Sequence, residues 1–314
     1  MSKKGRRPAD GGALSLVQAP FDEELPLKRR TELALELSEL VTRIVTHVIC
    51  HIIVDYDELL SDERMSIAHA FLQRVTSTHM CNHKLTAEGL VYQYNGQAFQ
   101  LQEEYKTTTL TRSVYEHLAM FYFLYEHPKN AEERDIVWKY WQMTSWKNKL
   151  DNSATAEAGL VEEQRQAMWE TERLRKEILA TPTGSKCRSK LDALTKADAQ
   201  PGNGCIEFFL HGGKQDVRRV SYSQAWKYLF HNKSLTLLYR YLSMHCHPVY
   251  EGLLQYQSQS EQGEDATPLH LSSCFLACMC RLFLKQVQGG DAIVKTAFSE
   301  HEQQVFMAMA RLPE

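Results

Sequence analysis

Glycine and proline are scarce in this chain: 15 and 9 of 314 residues. That scarcity argues against a turn-rich fold and for long helices. No Cys-x2-Cys pair occurs among the eight cysteines (Cys50, Cys81, Cys187, Cys205, Cys246, Cys274, Cys278 and Cys280), so no disulfide framework or zinc knuckle is spelled out. The basic opening, SKKGRRPADGG, lacks the apolar run of a signal peptide. Together these predict reduced thiols and a cytoplasmic protein. An excess of one charge is missing as well. Thirty-six basic residues face 39 acidic ones, for a net charge of -3, which excludes a globally basic nucleic-acid binder and leaves only a local patch open. There is no P-loop, no Rossmann glycine fingerprint, no HExxH and no GxSxG, so kinase, adenylation and zincin chemistry have no support. A membrane span is not expected. The most apolar early stretch, Val41 to Val54, is interrupted by Arg43, His47 and His51.

What is present is helical periodicity. Leu33, Leu37, Leu40, Val41, Ile44, Val45, Val48 and Ile52 recur at three- and four-residue steps and predict a helix from about Pro26 to Leu60. A second helix is expected from Asp62 to Met80, and a third from Ala98 to Glu126, stopped by His127-Pro128. Asn82 to Gly96 reads as a loop with a short helical piece, ending in Asn-Gly. Residues 131–180 are helical with a break at Asp151-Asn152-Ser153, the pattern of a protruding hairpin arm. Thr181 to Gly204 reads as a linker or mobile loop containing one short helix, and Cys205–Leu210 as a short lone strand. Five further helices are expected, near Ser223–Phe230, Ser234–His247, Val249–Ser258, Pro268–Gln288 and Asp291–Arg311. The fold class is therefore all-α: an irregular multi-helix bundle with one arm, in a single domain over 25–314 behind a disordered basic tail over 1–24.

Two of these helices are apolar on nearly every face, Leu110–Tyr125 and Leu235–His247. Arg112 and Glu116 lie about 40° apart on the first. Arg240, Ser243 and His247 form a polar stripe on the second. Charges on buried helices need partners. The economical arrangement brings Arg112 and Glu116 to Ser243, His247 and Arg240. Such a cluster fixes packing register or binds a ligand, unless one of the two stripes simply faces solvent.

The pattern Arg112-Ser-Val-Tyr-Glu116, followed by Tyr239-Arg-Tyr-Leu-Ser243-Met-His-Cys-His247-Pro248, resembles a bacterial all-helical family of unknown function. That family carries an Arg-x3-Glu helix and a later Tyr-x3-Ser-x3-His helix. The resemblance implies a helical fold and no established activity. A weaker resemblance is to HEPN domains, helical bundles that cut RNA with an Arg-x(4 to 6)-His motif across a homodimer. Arg112…His117 and Arg240…His245 have that spacing, as do Arg64…His69 and Arg74…His79. A five-residue offset, however, turns a side chain about 140° around a regular helix.

Other constellations have plainer readings. His270, Cys274 and Cys278 share a helix face but lack a fourth zinc ligand; cysteines in an apolar helix are small hydrophobes. Adjacent His245, Cys246 and His247 point about 100° apart on a helix. Trp138, Trp141 and Trp146 with Lys139, Lys147 and Lys149 could stack nucleobases or simply pack. No catalytic residue, metal or cofactor is assigned. The expectation is a helical interaction or regulatory protein with a protein or RNA partner, the alternatives being a HEPN-like nuclease or small-molecule binding at the Arg112 cluster.

Overall fold

The computed structural model describes residues 10–101, 104–152, 160–186, 188, 205–211, 216–230, 239, 241–243 and 266–311. Of these, 86% are helical, and the fold is an all-α multi-helix bundle. The chain divides into two compact units. One comprises residues 1–121 with 226–314; the other comprises 122–225.

The first unit opens with α1 (Asp10–Gln18) and a short 3-10 turn, Ala19–Phe21. Residues 10–21 correct the expected tail. Val17 is fully buried, Pro20 is buried, and the Val17 carbonyl accepts from His270 Nε2 at 2.8 Å. The apolar residues of LSLVQAPF give this segment enough surface to dock despite its basic start. Next comes α2 (Leu27–Asp55), whose expected stripe is the buried face: Leu33, Leu37, Val41, Ile44, Val45, Val48 and Ile52. The third helix, α3 (Glu63–Glu88), begins where Asp62 accepts a hydrogen bond from the Met65 amide. It runs two turns further than expected and stops at Gly89, φ +66°.

The anticipated loop is instead a hairpin, β1 (Leu90–Tyr94) with β2 (Gln97–Leu101), paired antiparallel. Asn95 and Gly96 both have positive φ, 51° and 76°, as a two-residue type I′ turn requires. The chain then enters α4 (Glu104–Phe121).

The second unit starts with a widened π turn, Tyr122–Glu126, ending before Pro128. Helices α5 (Ala131–Asn152) and α6 (Leu160–Ala180) follow, then the short α7 (Pro182–Lys186). Lys139 pairs with Glu177 at 3.1 Å, and the Thr183 amide donates to Glu132 at 2.9 Å. These pairs run in opposite directions along the chain, so α5 and α6 are antiparallel. Asp151 and Asn152, where a break was expected, still belong to α5, and residues 153–159 lie outside the described residues. The strand at Cys205 is not alone: β3 (Cys205–His211) pairs antiparallel with β4 (Asp216–Ser221).

The unit boundary falls inside α8 (Tyr222–Leu229). The first unit is completed by α9 (Thr267–Gln286), α10 (Gly290–Ala297) and α11 (Glu300–Arg311). Its centre is α9, buried from Pro268 to Ala277 and again at Met279, Cys280, Leu282, Phe283 and Leu284, and packed against α2, α3, α4 and α11. A helix apolar on all sides belongs at the centre. By length and composition α2 and α9 could each cross a membrane, but 83% of the apolar window of α9 is buried inside the protein, against 39% for α2. The expected helix over Val249–Ser258 lies outside the described residues, as does most of Ser234–His247.

Candidate functional site

Helix α4 presents two faces. Val114, Leu118 and Phe121 are fully buried, while Arg112, Ser113, Glu116 and His117 are half-buried. Tyr115, also fully buried, reaches into an aromatic cluster. Its ring lies 4.7 Å from Trp226, 5.2 Å from Tyr239 and 5.7 Å from Phe275. Phe230 stacks on Phe275 and meets Trp226 edge-on at 4.6 Å. Tilted and edge-to-face contacts of this kind add to the burial of such large rings. The cluster fixes Tyr239, 8% exposed, against α4.

That placement assembles the polar site. Arg112 Nε donates to Glu116 Oε1 at 2.7 Å, and the guanidinium carbon lies 5.9 Å from the Tyr239 ring centroid. The two charged side chains keep 19% and 27% of their surface exposed. Burial raises the Tyr239 phenol above the usual tyrosine pKa; Glu116 adds to that, while hydrogen bonding to Ser243 and the charge and hydrogen bond of Arg112 oppose it. Arg112, Glu116, Tyr239 and Ser243 therefore meet. Of the expected cluster, Arg240 and His247 lie outside the described residues, and so does His245. Tyr239 is the member that helix-face reasoning passed over, although it stands first in the Tyr-x3-Ser-x3-His pattern.

His117 does not join them. Its Nδ1 donates to the Ser113 carbonyl at 2.7 Å, and its ring meets Phe71 of α3 at 6.1 Å. Arg112 instead faces Tyr239. The five-residue offset has turned the two apart, as the helix angle requires. Two further Arg…His spacings end on buried rings. His69 is buried and makes a hydrogen bond to the Ile49 carbonyl. His79 is fully buried, and desolvation lowers its pKa to about 3.

Residues 104–265 match the family of unknown function DUF5677. The chain belongs to this family. The match opens at the first residue of α4 and takes in both halves of the motif, Arg112-x3-Glu116 and Tyr239-x3-Ser243-x3-His247. The likeness to HEPN domains is not confirmed. No curated protein and no solved structure matches the chain. The family's matched segment thus contains the aromatic residues Tyr115, Trp226, Phe230 and Tyr239, while α9, which supplies Phe275, follows it.

Among the remaining constellations, His245, Cys246 and His247 lie outside the described residues. Cys274 is buried, which pushes its thiol pKa up, and its sulfur lies 3.9 Å from His270 Nε2, the nitrogen that bonds Val17. Among the described residues no three metal-ligating side chains converge. Trp138 is buried, 5.4 Å from Trp141 and 6.1 Å from Tyr125. Burial disfavours the Lys139 ammonium, but Asp135 at 2.7 Å and Glu177 at 3.1 Å together hold its pKa above the ordinary value.

Proposed function

We propose that this chain is a non-enzymatic, cytoplasmic helical interaction protein, and that Arg112, Glu116, Tyr239 and Ser243 form a clasp tying the Tyr239–Ser243 turn to α4. The observation that carries this reading is the direction of Arg112. It is spent on a carboxylate and a phenol ring within its own fold, and the nearest histidine in sequence, His117, faces α3. Phosphodiester cleavage of the HEPN type needs an arginine and an imidazole acting together on one phosphate, with the base in hydrogen-bond reach of the proton it takes. A mutually satisfied ion pair against an aromatic wall does the opposite work, holding two segments in one register.

The partner expected is another protein. A second reading, small-molecule binding at the same place, draws on the 19% and 27% exposure of Arg112 and Glu116, which leaves the pair reachable from solvent.

Incubating the full chain with end-labelled single-stranded RNA tests the proposal. The expected result is no cleavage above a protein-free blank. Cleavage that disappears in Arg112→Gln would overturn it and install the nuclease.

A further inference from the structure

The outer face of α2 carries two histidines that neither the core nor the clasp uses. His47 and His51 stand four residues apart, so their Cβ atoms share one face at roughly 5–6 Å. Both are half-buried. Their ring centroids lie 5.8 Å apart, with the planes 12° from parallel. Each ring is also held from outside the pair. The His47 ring meets Phe298, between α10 and α11, edge-on at 5.4 Å. His51 Nδ1–H donates to Asp55 Oδ2 at 2.5 Å, and its ring meets Tyr56 at 5.6 Å.

The Asp55 bond fixes chemistry as well as position. A hydrogen on Nδ1 leaves the lone pair of neutral His51 on Nε2. A carboxylate on the far nitrogen is the support that metal-binding histidines ordinarily have: it sets the tautomer and makes the ligating nitrogen more basic. Among the described residues no hydrogen bond engages the His47 ring, so its nitrogens are available as ligands. Two imidazoles sharing one tetrahedral zinc, each at about 2.0–2.1 Å, hold their centroids roughly 5 Å apart. The observed 5.8 Å leaves about 1 Å to close, and the turn that aims both nitrogens at one point falls on χ2, a soft torsion in histidine. The surroundings accept a cation. His51 and Asp55 occupy the last turn of α2, at the negative end of the helix dipole. Arg43, one turn before His47, is neutralised by Glu302 at 2.7 Å.

We propose that His47 and His51 chelate a divalent transition ion of the zinc, nickel and copper class, with Asp55 orienting His51 and water completing the coordination. Two neutral imidazoles favour these ions over magnesium and calcium, which take oxygen ligands. Among the described residues no third metal-ligating side chain converges on the pair, so the site is open and exchangeable, unlike a closed structural zinc site. An ion there bridges two successive turns and staples the C-terminal end of α2. The pair lies outside the family's matched residues and is independent of the clasp.

Zinc chloride titrated into the full chain, followed by calorimetry, tests the site, and comparison with the histidine variants subtracts zinc held elsewhere in the chain. The expected result is one equivalent of zinc lost in His47→Gln and in His51→Gln, and about tenfold weaker binding at that equivalent in Asp55→Asn. Copper(II) should bind the pair more tightly than zinc. Cys50 is exposed one turn from His47, so Cys50→Ser is the control and should take up zinc as the unaltered chain does. Circular dichroism without metal separates a folding loss from a lost ligand; should one histidine variant not fold, the other carries the test. Equal zinc uptake by the unaltered chain and a folded histidine variant would overturn the proposal, as would loss of the same equivalent in Cys50→Ser.

Discussion

At the scale of single residues, the clasp is a problem of desolvation. Arg112 and Glu116 are mostly but not wholly removed from water, so their pair is worth more than a surface ion pair and less than a closed one. Replacing Glu116 by Gln keeps the shape and removes the charge. It should cost roughly 1.5–3 kcal/mol, the range for a hydrogen bond to a charged group. Tyr239→Phe, which deletes the hydroxyl near Ser243 and Arg112, should cost about 1 kcal/mol. For a unit of this size each kcal/mol lowers Tm by roughly 2–4 °C. The pairing of Arg112 with Glu116 was legible in the sequence, because charged residues on apolar helices must find partners. Tyr239 was not. An aromatic residue reads as core by default, and its hydrogen bonding to Ser243 and Arg112 is what brings its hydroxyl end into the site.

At the scale of elements, helix periodicity carried the reading well and turn chemistry carried it poorly. The stripe of α2 lies where the sequence places it. The hairpin over Leu90–Leu101 was missed although Asn95-Gly96 announces it, since two five-residue strands offer little periodicity between long helices. The polar residues of α3, His79 and Asn82, also gave no warning. Asn82 was read as the start of a loop and His79 only as part of an Arg…His spacing, yet both are fully buried on α3 and bonded to Ser38, Ser272 and Thr111. The hairpin supplies a prediction at this scale. Gly96 sits at φ +76° with open space around its α-carbon, so Gly96→Ala meets no clash and pays only for the left-handed backbone. The expected cost is about 1 kcal/mol, confined to the hairpin. Faster amide exchange over residues 90–101 with unchanged protection in α9 checks it.

At the scale of the whole molecule, buried histidines tie stability to pH. His79 and His270 are held neutral by burial, with pKa values lowered to about 3 and about 4 from an ordinary 6.5. A base whose folded pKa is depressed binds its proton more readily when unfolded, so stability is full above about 6.5 and falls as pH drops through the window below it. Each histidine contributes a slope of roughly 1.4 kcal/mol per pH unit in that window. Between pH 6.5 and 5, above the carboxylate range, His270→Gln should lower the slope of the unfolding free energy by about half; an unchanged slope would show that His270 is not held neutral in the fold. The central claim, that the family's motif residues form a structural clasp in this chain, meets its most direct test in denaturant unfolding of the original chain, Glu116→Gln, Tyr239→Phe and the double variant. The account predicts a loss in each single variant and a coupling of at least ~0.5 kcal/mol between them, as for residues in one network. Single variants that leave stability unchanged or raise it, as removal of a ligand-binding group does, would contradict it.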